Sequence, residues 1–239
     1  MSATLSELRV KIFADGADAE GIAQLAEDPS IKGFTTNPTL MRAAGVADYE
    51  HFARGVLGCI GDRPISFEVF ADDFDEMVRQ ARKVASWGEQ IHVKIPITNT
   101  KGESSAPVLR TLAADGIKLN VTALLTVDQV RAATACLEDA APCFISVFAG
   151  RVADTGSDPV PVMRRALDVL APHAHLELIW ASPREILNVV QADAIGCHVI
   201  TVTHDMLKKL PLIGRDPGDV SLDTVRMFHR DALTAGYTL

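Results

Sequence analysis

The run Gln90-Ile91-His92-Val93-Lys94-Ile95-Pro96-Ile97-Thr98 reads as a β-strand with a lysine near its far end. A charged side chain is rarely buried without a partner or a task. A lysine lodged in an apolar interior can lose its proton and become a nucleophilic amine. Lys94 therefore points to Schiff-base chemistry on a carbonyl substrate. The competing reading is a lysine paired with a core carboxylate. Lys11 and Lys118 have the parity to compete for the role, but each lies near the start of its strand. His92, two residues before Lys94, should face the same way; a packed core histidine is its plainer reading. His173 and His175 are expected to face solvent.

Such a lysine needs an architecture that brings other polar groups to it. Short runs rich in Val, Ile and Phe at 10–15, 33–37, 65–70, 91–97, 117–123, 143–149, 176–182 and 198–203 read as eight strands. Segments of helical period lie between them, at 72–86, 105–114, 126–138, 160–170 and 183–192. Regular alternation predicts a parallel sheet with helical crossovers. Eight units in about 200 residues predict a single-domain (β/α)8 barrel, an α/β TIM barrel. No GxGxxG follows the first strand, which weakens a dinucleotide-binding alternative. The barrel is expected over 1–210, with a C-terminal helical extension over 211–239. The helix at 221–235 carries Leu222, Val225, Met227, Phe228 and Leu233, and would pack on the barrel or on a neighbouring subunit.

In this architecture chemistry sits at the C-terminal ends of the strands. The polar residues expected there are Asp15, Thr36, Asn37, Glu68, Lys94, Asn120, Thr122, Ser146, Arg151, Ser182 and Arg184. Each has a plainer reading. Asp15 could cap the next helix, although Asp18 fits the cap better and frees Asp15. Asn37-Pro38 and Ser182-Pro183 could be helix starts with Pro at the first position. Glu68 could be a lone carboxylate partnering a barrel lysine. Arg184 could pair with Glu185 or a neighbouring helix, and Arg151 could brace the loop at 154–161. These readings leave unexplained why so many polar residues end strands around one lysine.

The remaining composition bounds the function. A net charge of −8 argues against a nucleic-acid or anionic-membrane surface, while leaving room for a small anion in a local positive pocket. Cys59, Cys136, Cys143 and Cys197 lack metal-ligand spacing and read as reduced, mostly buried thiols, so a cytoplasmic protein is expected. The first ten residues show no signal-peptide pattern, and no apolar run is long enough to cross a membrane.

Taken in order, the strand-end motifs resemble those of the transaldolase family, particularly its short members, which include fructose 6-phosphate aldolases. The resemblance spans nearly the whole chain. It rests on Phe13-Ala14-Asp15-Gly16-Ala17-Asp18, Thr35-Thr36-Asn37-Pro38, Ser66-Phe67-Glu68-Val69, Val93-Lys94-Ile95-Pro96, Asn120-Val121-Thr122, Ser146-Val147-Phe148-Ala149-Gly150-Arg151 and Ala181-Ser182-Pro183-Arg184. The resemblance implies a class I aldolase mechanism without metal or cofactor. Lys94 would form the Schiff base, Asp15 would move the proton at the C4 hydroxyl, and Glu68 with Thr122 would position a relay water. Asn37, Asn120 and Ser146 would hold the dihydroxyacetone unit, beside Phe148. Arg151, Ser182 and Arg184 would grip the phosphate.

Within the family, Glu at the third-strand position and Phe two residues after the sixth-strand serine go with transaldolases. Gln and Tyr at these positions go with the aldolases. Glu68 and Phe148 therefore imply transfer from a ketose phosphate to an aldose phosphate, in the pentose phosphate pathway. A lyase releasing dihydroxyacetone is the alternative, and a non-catalytic phosphosugar-binding barrel a further one. Departures from the family pattern are Gly16 for a common Thr, Pro183 for a common aromatic, and His92 for an apolar residue. Sugar phosphates are the implied partners, and a ring of subunits joined by the C-terminal helix is a further expectation.

Overall fold

Alternating strand and helix segments close on themselves in a computed structural model that describes residues 5–238. In chain order these are β1 (Lys11–Asp15), α1 (Ala19–Ala26), β2 (Ile31–Thr35), α2 (Pro38–Ala43), α3 (Tyr49–Leu57), β3 (Ile65–Glu68), α4 (Phe74–Ala85), β4 (Ile91–Pro96), α5 (Ala106–Ala114), β5 (Leu119–Leu124), α6 (Val127–Thr134), β6 (Cys143–Val147), α7 (Ala149–Asp154), α8 (Val160–Leu170), β7 (Leu176–Trp180), α9 (Leu187–Ala194), β8 (Val199–Thr203), α10 (His204–Leu207) and α11 (Pro217–Ala235). Every strand pair is parallel, and β8 pairs with β1, giving a closed eight-stranded (β/α)8 barrel. All eight predicted strands are present, with no end shifted by more than two residues. The short helices α2, α3, α7 and α10 fall in stretches where the apolar period gives too few turns to read.

Strand alternation divides the interior in two. Outward-facing residues such as Phe34, Phe67, Val93, Val121, Leu178 and Ile200 pack under the helices. Inward-facing Phe13, Phe144, Ile179, Ala181 and Val199 form a separate apolar cluster in the barrel lumen, with Phe148 against it. Phe13 and Phe144 meet edge to face at 5.5 Å, a favoured aromatic geometry. Gly33 makes room for that plug, because a Cβ there would stand 2.6 Å from the Phe13 ring. The plug is supplied by β1, β6, β7 and β8. The inward residues of β3, β4 and β5 are Ser66, Glu68, His92, Lys94, Asn120 and Thr122, so that side of the lumen is polar.

Helix starts follow the expected capping chemistry. Asp18, Asn37, Asp48, Asp73 and Asp216 each accept a backbone N–H, and Thr126 with Gln129 forms a reciprocal capping box. Asp18 rather than Asp15 caps α1, as its position predicts. The predicted helix at 183–192 begins later, at Leu187, because Ser182 adopts the left-handed region at φ 58° and cannot serve as its cap. The C-terminal helix begins earlier than expected, with Asp216 as cap and Pro217 at the first turn, and ends on left-handed Gly236. It has no buried residue, and Leu222, Val225, Met227, Phe228 and Leu233 are exposed. Among the described residues, no helix is long and apolar enough to cross a membrane.

Candidate active site

Register builds the centre of the site. Glu68 of β3, Lys94 of β4 and Asn120 of β5 pair in one row across three adjacent strands. Lys94 is buried, and its Nζ lies 3.3 Å from Glu68 Oε2. The same amine donates to the Thr36 carbonyl at 2.9 Å. Glu68 is held from behind by Tyr49 of α3, whose hydroxyl accepts from Glu68 N at 2.8 Å and donates to Glu68 O at 3.0 Å. This double contact fixes the backbone that carries the carboxylate.

Beneath the amine a hydrogen-bonded chain crosses the polar side of the lumen. Ser146 Oγ donates to Asn120 Oδ1 at 2.7 Å, and Asn120 Nδ2 donates to Ser66 Oγ at 2.9 Å. All three residues are buried. Thr122 Oγ1 is buried and has no hydrogen-bond partner among the described residues. An unpaired buried hydroxyl costs free energy unless a water or ligand satisfies it. Beyond Thr122, Ala123 takes φ 64° where the β5–β6 register slips.

Asp15 closes the site from β1. Its Oδ1 accepts from Thr35 Oγ1 at 2.7 Å. Burial pushes its pKa above the ordinary carboxylate range; the Lys94 charge and the Thr35 hydrogen bond pull it part of the way back. A carboxyl of this kind gains and loses a proton more readily near neutrality than a free aspartate does.

His92 shares the inner face with Lys94, as parity predicts. It is buried, tilts against the Phe144 ring at 4.4 Å, and burial pulls its pKa down to about 4. It is a neutral packing residue below the amine. The two competing lysines lie at the opposite end of the barrel. Lys11 pairs with Glu177 at 2.5 Å, and Lys118 donates to the Glu89 carbonyl at 2.9 Å. His175 is half-buried and bonded to the Leu137 carbonyl at 2.8 Å, which corrects the expectation of a solvent-facing ring. Three cysteines are buried, and Cys59 is exposed. Burial pushes the Cys143 and Cys197 thiols up to about 11 and about 12, so both are inert at neutral pH.

The segments after β6 and β7 carry the two predicted cations. Arg151 on α7 is exposed, its guanidinium 5.4 Å from the centre of the Phe148 ring. Arg184 is exposed and engages Asp154 with two N–H groups. Its backbone N–H donates to Asn188 Oδ1 at 2.7 Å. The start of α7 and the turn after β7 touch directly, because a Cβ on Gly150 would stand 1.6 Å from the Ser182 carbonyl oxygen. Only glycine permits that approach. Asn37 caps α2 through Oδ1, accepting from Leu40 N at 3.0 Å, which leaves its amide NH2 as the group open to a ligand.

Thus the structure gathers Asp15, Glu68, Lys94, Asn120, Thr122 and Ser146 at one end of the lumen. Arg184 is placed on an internal carboxylate. Sequence reasoning overlooked Tyr49 and Thr35 as supports. The Tyr49 contact has no local sequence signal. Thr35 had one: it ends β2 on the inward parity of Gly33 and Asn37. A cavity of about 730 Å³ lies outside the lumen between α3 and α4; Tyr49, Glu68, Phe70 and Trp87 line it. Among the described residues no group of three His, Cys, Asp or Glu side chains is placed to hold a metal ion.

A mandelate oxidase mutant of known structure superposes with a TM-score of 0.58 at 16% identity, over 95% of this chain and 75% of that one, and so shares the barrel fold. A Listeria monocytogenes protein described as "Probable transaldolase 2" is 34% identical over 202 residues, 84% of this chain and 88% of the relative. A Dehalococcoides mccartyi protein described as "Probable transaldolase" is 30% identical over 202 residues, 84% of this chain and 90% of the relative. The model of the Transaldolase/Fructose-6-phosphate aldolase family matches residues 12–235. With its motifs lying in order on the strand ends of a closed barrel, the chain belongs to the transaldolase/fructose-6-phosphate aldolase family.

Proposed function

We propose that this chain is a transaldolase that moves a dihydroxyacetone unit from a ketose phosphate to an aldose phosphate through a Schiff base on Lys94. The observation that carries this reading is a buried lysine in contact with Glu68, with Asp15 on the same rim. The Lys94 amine adds to the C2 carbonyl, and the carbinolamine loses water to give an iminium. Asp15 takes the proton of the C4 hydroxyl; the C3–C4 bond breaks, its electrons pass into the iminium, and an aldehyde leaves. The resulting enamine attacks the acceptor aldehyde through C3, and Asp15 returns the proton to the new alkoxide. Water then releases the product and restores the amine.

The other side chains fit this sequence. Glu68 and the unpartnered Thr122 hydroxyl hold the water made and consumed at C2. Asn37, Asn120 and Ser146 offer hydrogen bonds to the hydroxyls of the retained unit, with Phe148 as an apolar wall. Arg151, Ser182 and Arg184 bind the phosphate. Arg184 spends Nε and one terminal nitrogen on Asp154, and its other terminal nitrogen remains for an anion. Glu68 and Phe148 support transfer over release, since a carboxylate orients the relay water as a pure acceptor. The exposed apolar residues of α11 support self-assembly, which sedimentation velocity would test.

Incubation with fructose 6-phosphate and borohydride should add a dihydroxyacetone-derived mass to the peptide containing Lys94. An adduct on Lys118, or an undiminished yield in Lys94→Met, would overturn the assignment. Free dihydroxyacetone formed at full rate without an acceptor aldehyde would make the protein a lyase instead.

A further inference from the structure

Strands β2 and β3 run parallel, and a parallel ladder repeats evenly along the chain. Each bonded residue donates through its N–H to one partner and accepts through its C=O from the residue two further on. Thr35 pairs with Ser66, and the ladder bonds run from Phe34 N to the Pro64 carbonyl at 2.9 Å and from Thr36 N to the Ser66 carbonyl at 3.1 Å. The next rung of this pattern runs from Glu68 N to the Thr36 carbonyl. Both groups of that rung are engaged elsewhere. Glu68 N donates to the Tyr49 hydroxyl at 2.8 Å, and the Thr36 carbonyl accepts from Lys94 Nζ at 2.9 Å.

Helix α3 thus completes the edge of β3 that β2 leaves when the chain turns into α2 at Asn37. The Tyr49 hydroxyl also donates to the Glu68 carbonyl at 3.0 Å, so one oxygen serves both backbone groups of Glu68. Its ring is seated among Phe67, Phe70 and Trp87, with centroids 5.8, 4.7 and 5.4 Å away. The amine meets two acceptors of different kinds, the Glu68 carboxylate and the Thr36 carbonyl, and Thr36 and Lys94 are both buried. A carboxylate can take up a proton and hold water. A peptide carbonyl only accepts hydrogen bonds, so it can orient a nitrogen without exchanging protons with it.

We propose that Tyr49 is a positioning residue for Lys94: by taking both backbone groups of Glu68, its hydroxyl keeps the Thr36 carbonyl out of the ladder and available to the Lys94 nitrogen. This rests on the reading of Lys94 as the Schiff-base nucleophile. Once the carbinolamine has lost water, the protonated imine carries a single N–H. The Thr36 carbonyl accepts it, which fixes rotation about the Cε–Nζ bond and leaves the Glu68 carboxylate free to hold the water.

The test is Tyr49→Phe, which keeps the ring and its packing and removes the hydroxyl. Imine formation is measured by rapid-quench borohydride trapping at saturating fructose 6-phosphate. Integrity of the rest of the site is measured by the affinity for glucitol 6-phosphate, which has no carbonyl and needs no amine. Trapping should slow roughly three- to tenfold, as expected for one hydrogen bond lost at the reacting nitrogen. The polyol phosphate should bind within about twofold of the wild type, because its grip does not involve that bond. A crystal structure of the variant should show Glu68 N donating to the Thr36 carbonyl, with Lys94 Nζ released from it. Unchanged trapping, an equal loss in trapping and in polyol binding, or a Lys94–Thr36 bond retained in the variant would overturn the inference. Absence of a trapped Lys94 adduct in the wild type would instead count against the transaldolase reading, and the variant structure would still report whether Tyr49 sets the partner of the Thr36 carbonyl.

Discussion

The two mouths of the barrel carry the same chemical parts in different surroundings. At the N-terminal mouth Lys11 meets Glu177 with side chains 45% and 31% exposed. At the C-terminal mouth Lys94 meets Glu68 with side chains 8% and 19% exposed. The first pair is screened by water and is worth about 0–1 kcal/mol. The second lies where a charge is expensive to keep and destabilising to orphan, on the order of 3–5 kcal/mol when one partner of a buried pair is removed. What separates a structural lysine from a candidate nucleophile here is position along the strand. A rim lysine can be buried beside polar groups and still meet a substrate.

Breaking the inner amine should have the largest effect. Lys94→Met is expected to lower transfer by roughly 10⁴-fold or more, since removal of a nucleophile leaves only binding and positioning. Lys11→Met should stay within about twofold, because an exposed pair contributes little. Steady-state kinetics on both variants checks the contrast, and equal losses would erase it.

Asp15→Asn comes next. Loss of the proton carrier should cost about 10²- to 10⁴-fold in rate. The stability effect has the opposite sign. Because the native pKa of Asp15 lies above its unfolded value, the native state disfavours the ionised form. The wild type therefore loses stability relative to the amide as pH rises through the native pKa. Thermal melts should show Asp15→Asn more stable at neutral pH, with the gain gone below the ordinary carboxylate range.

The arginines sharpen the comparison at the rim. Charge-assisted bonds are worth roughly 1.5–3 kcal/mol, so Arg151→Ala and Arg184→Ala should each lose about ten- to a hundredfold on phosphorylated donors. Losses on the unphosphorylated sugar should be small. Equal losses on both would make Arg184 a brace for Asp154 alone.

The smallest change expected at neutral pH lies between the mouths. His92 is neutral when folded, with a pKa of about 4 against 6.5 for a free histidine. Its contribution is present above pH 6.5 and is lost as pH falls toward 4, about 3 kcal/mol in all. His92→Leu should flatten the fall of Tm across that window while leaving the neutral-pH value little changed.

The barrel was legible because eight short apolar runs are interspersed with stretches of helical period, and strand parity then sorted Asp15, Glu68, Lys94, Asn120, Thr122 and Ser146 onto one face. What was illegible depends on contacts distant in sequence. Tyr49 reaches Glu68 from another element, and Asp154 captures Arg184 across 30 residues. The helix expected to start at Pro183 begins at Leu187, after Ser182 takes a left-handed conformation that local propensity does not encode.

The contact between Gly150 and the Ser182 carbonyl ties the segments after β6 and β7 into a single structural module. A library that randomises one of them alone inserts side chains into the other's backbone. Transplanting either segment alone should therefore yield misfolded protein more often than exchanging both together with Gly150 retained.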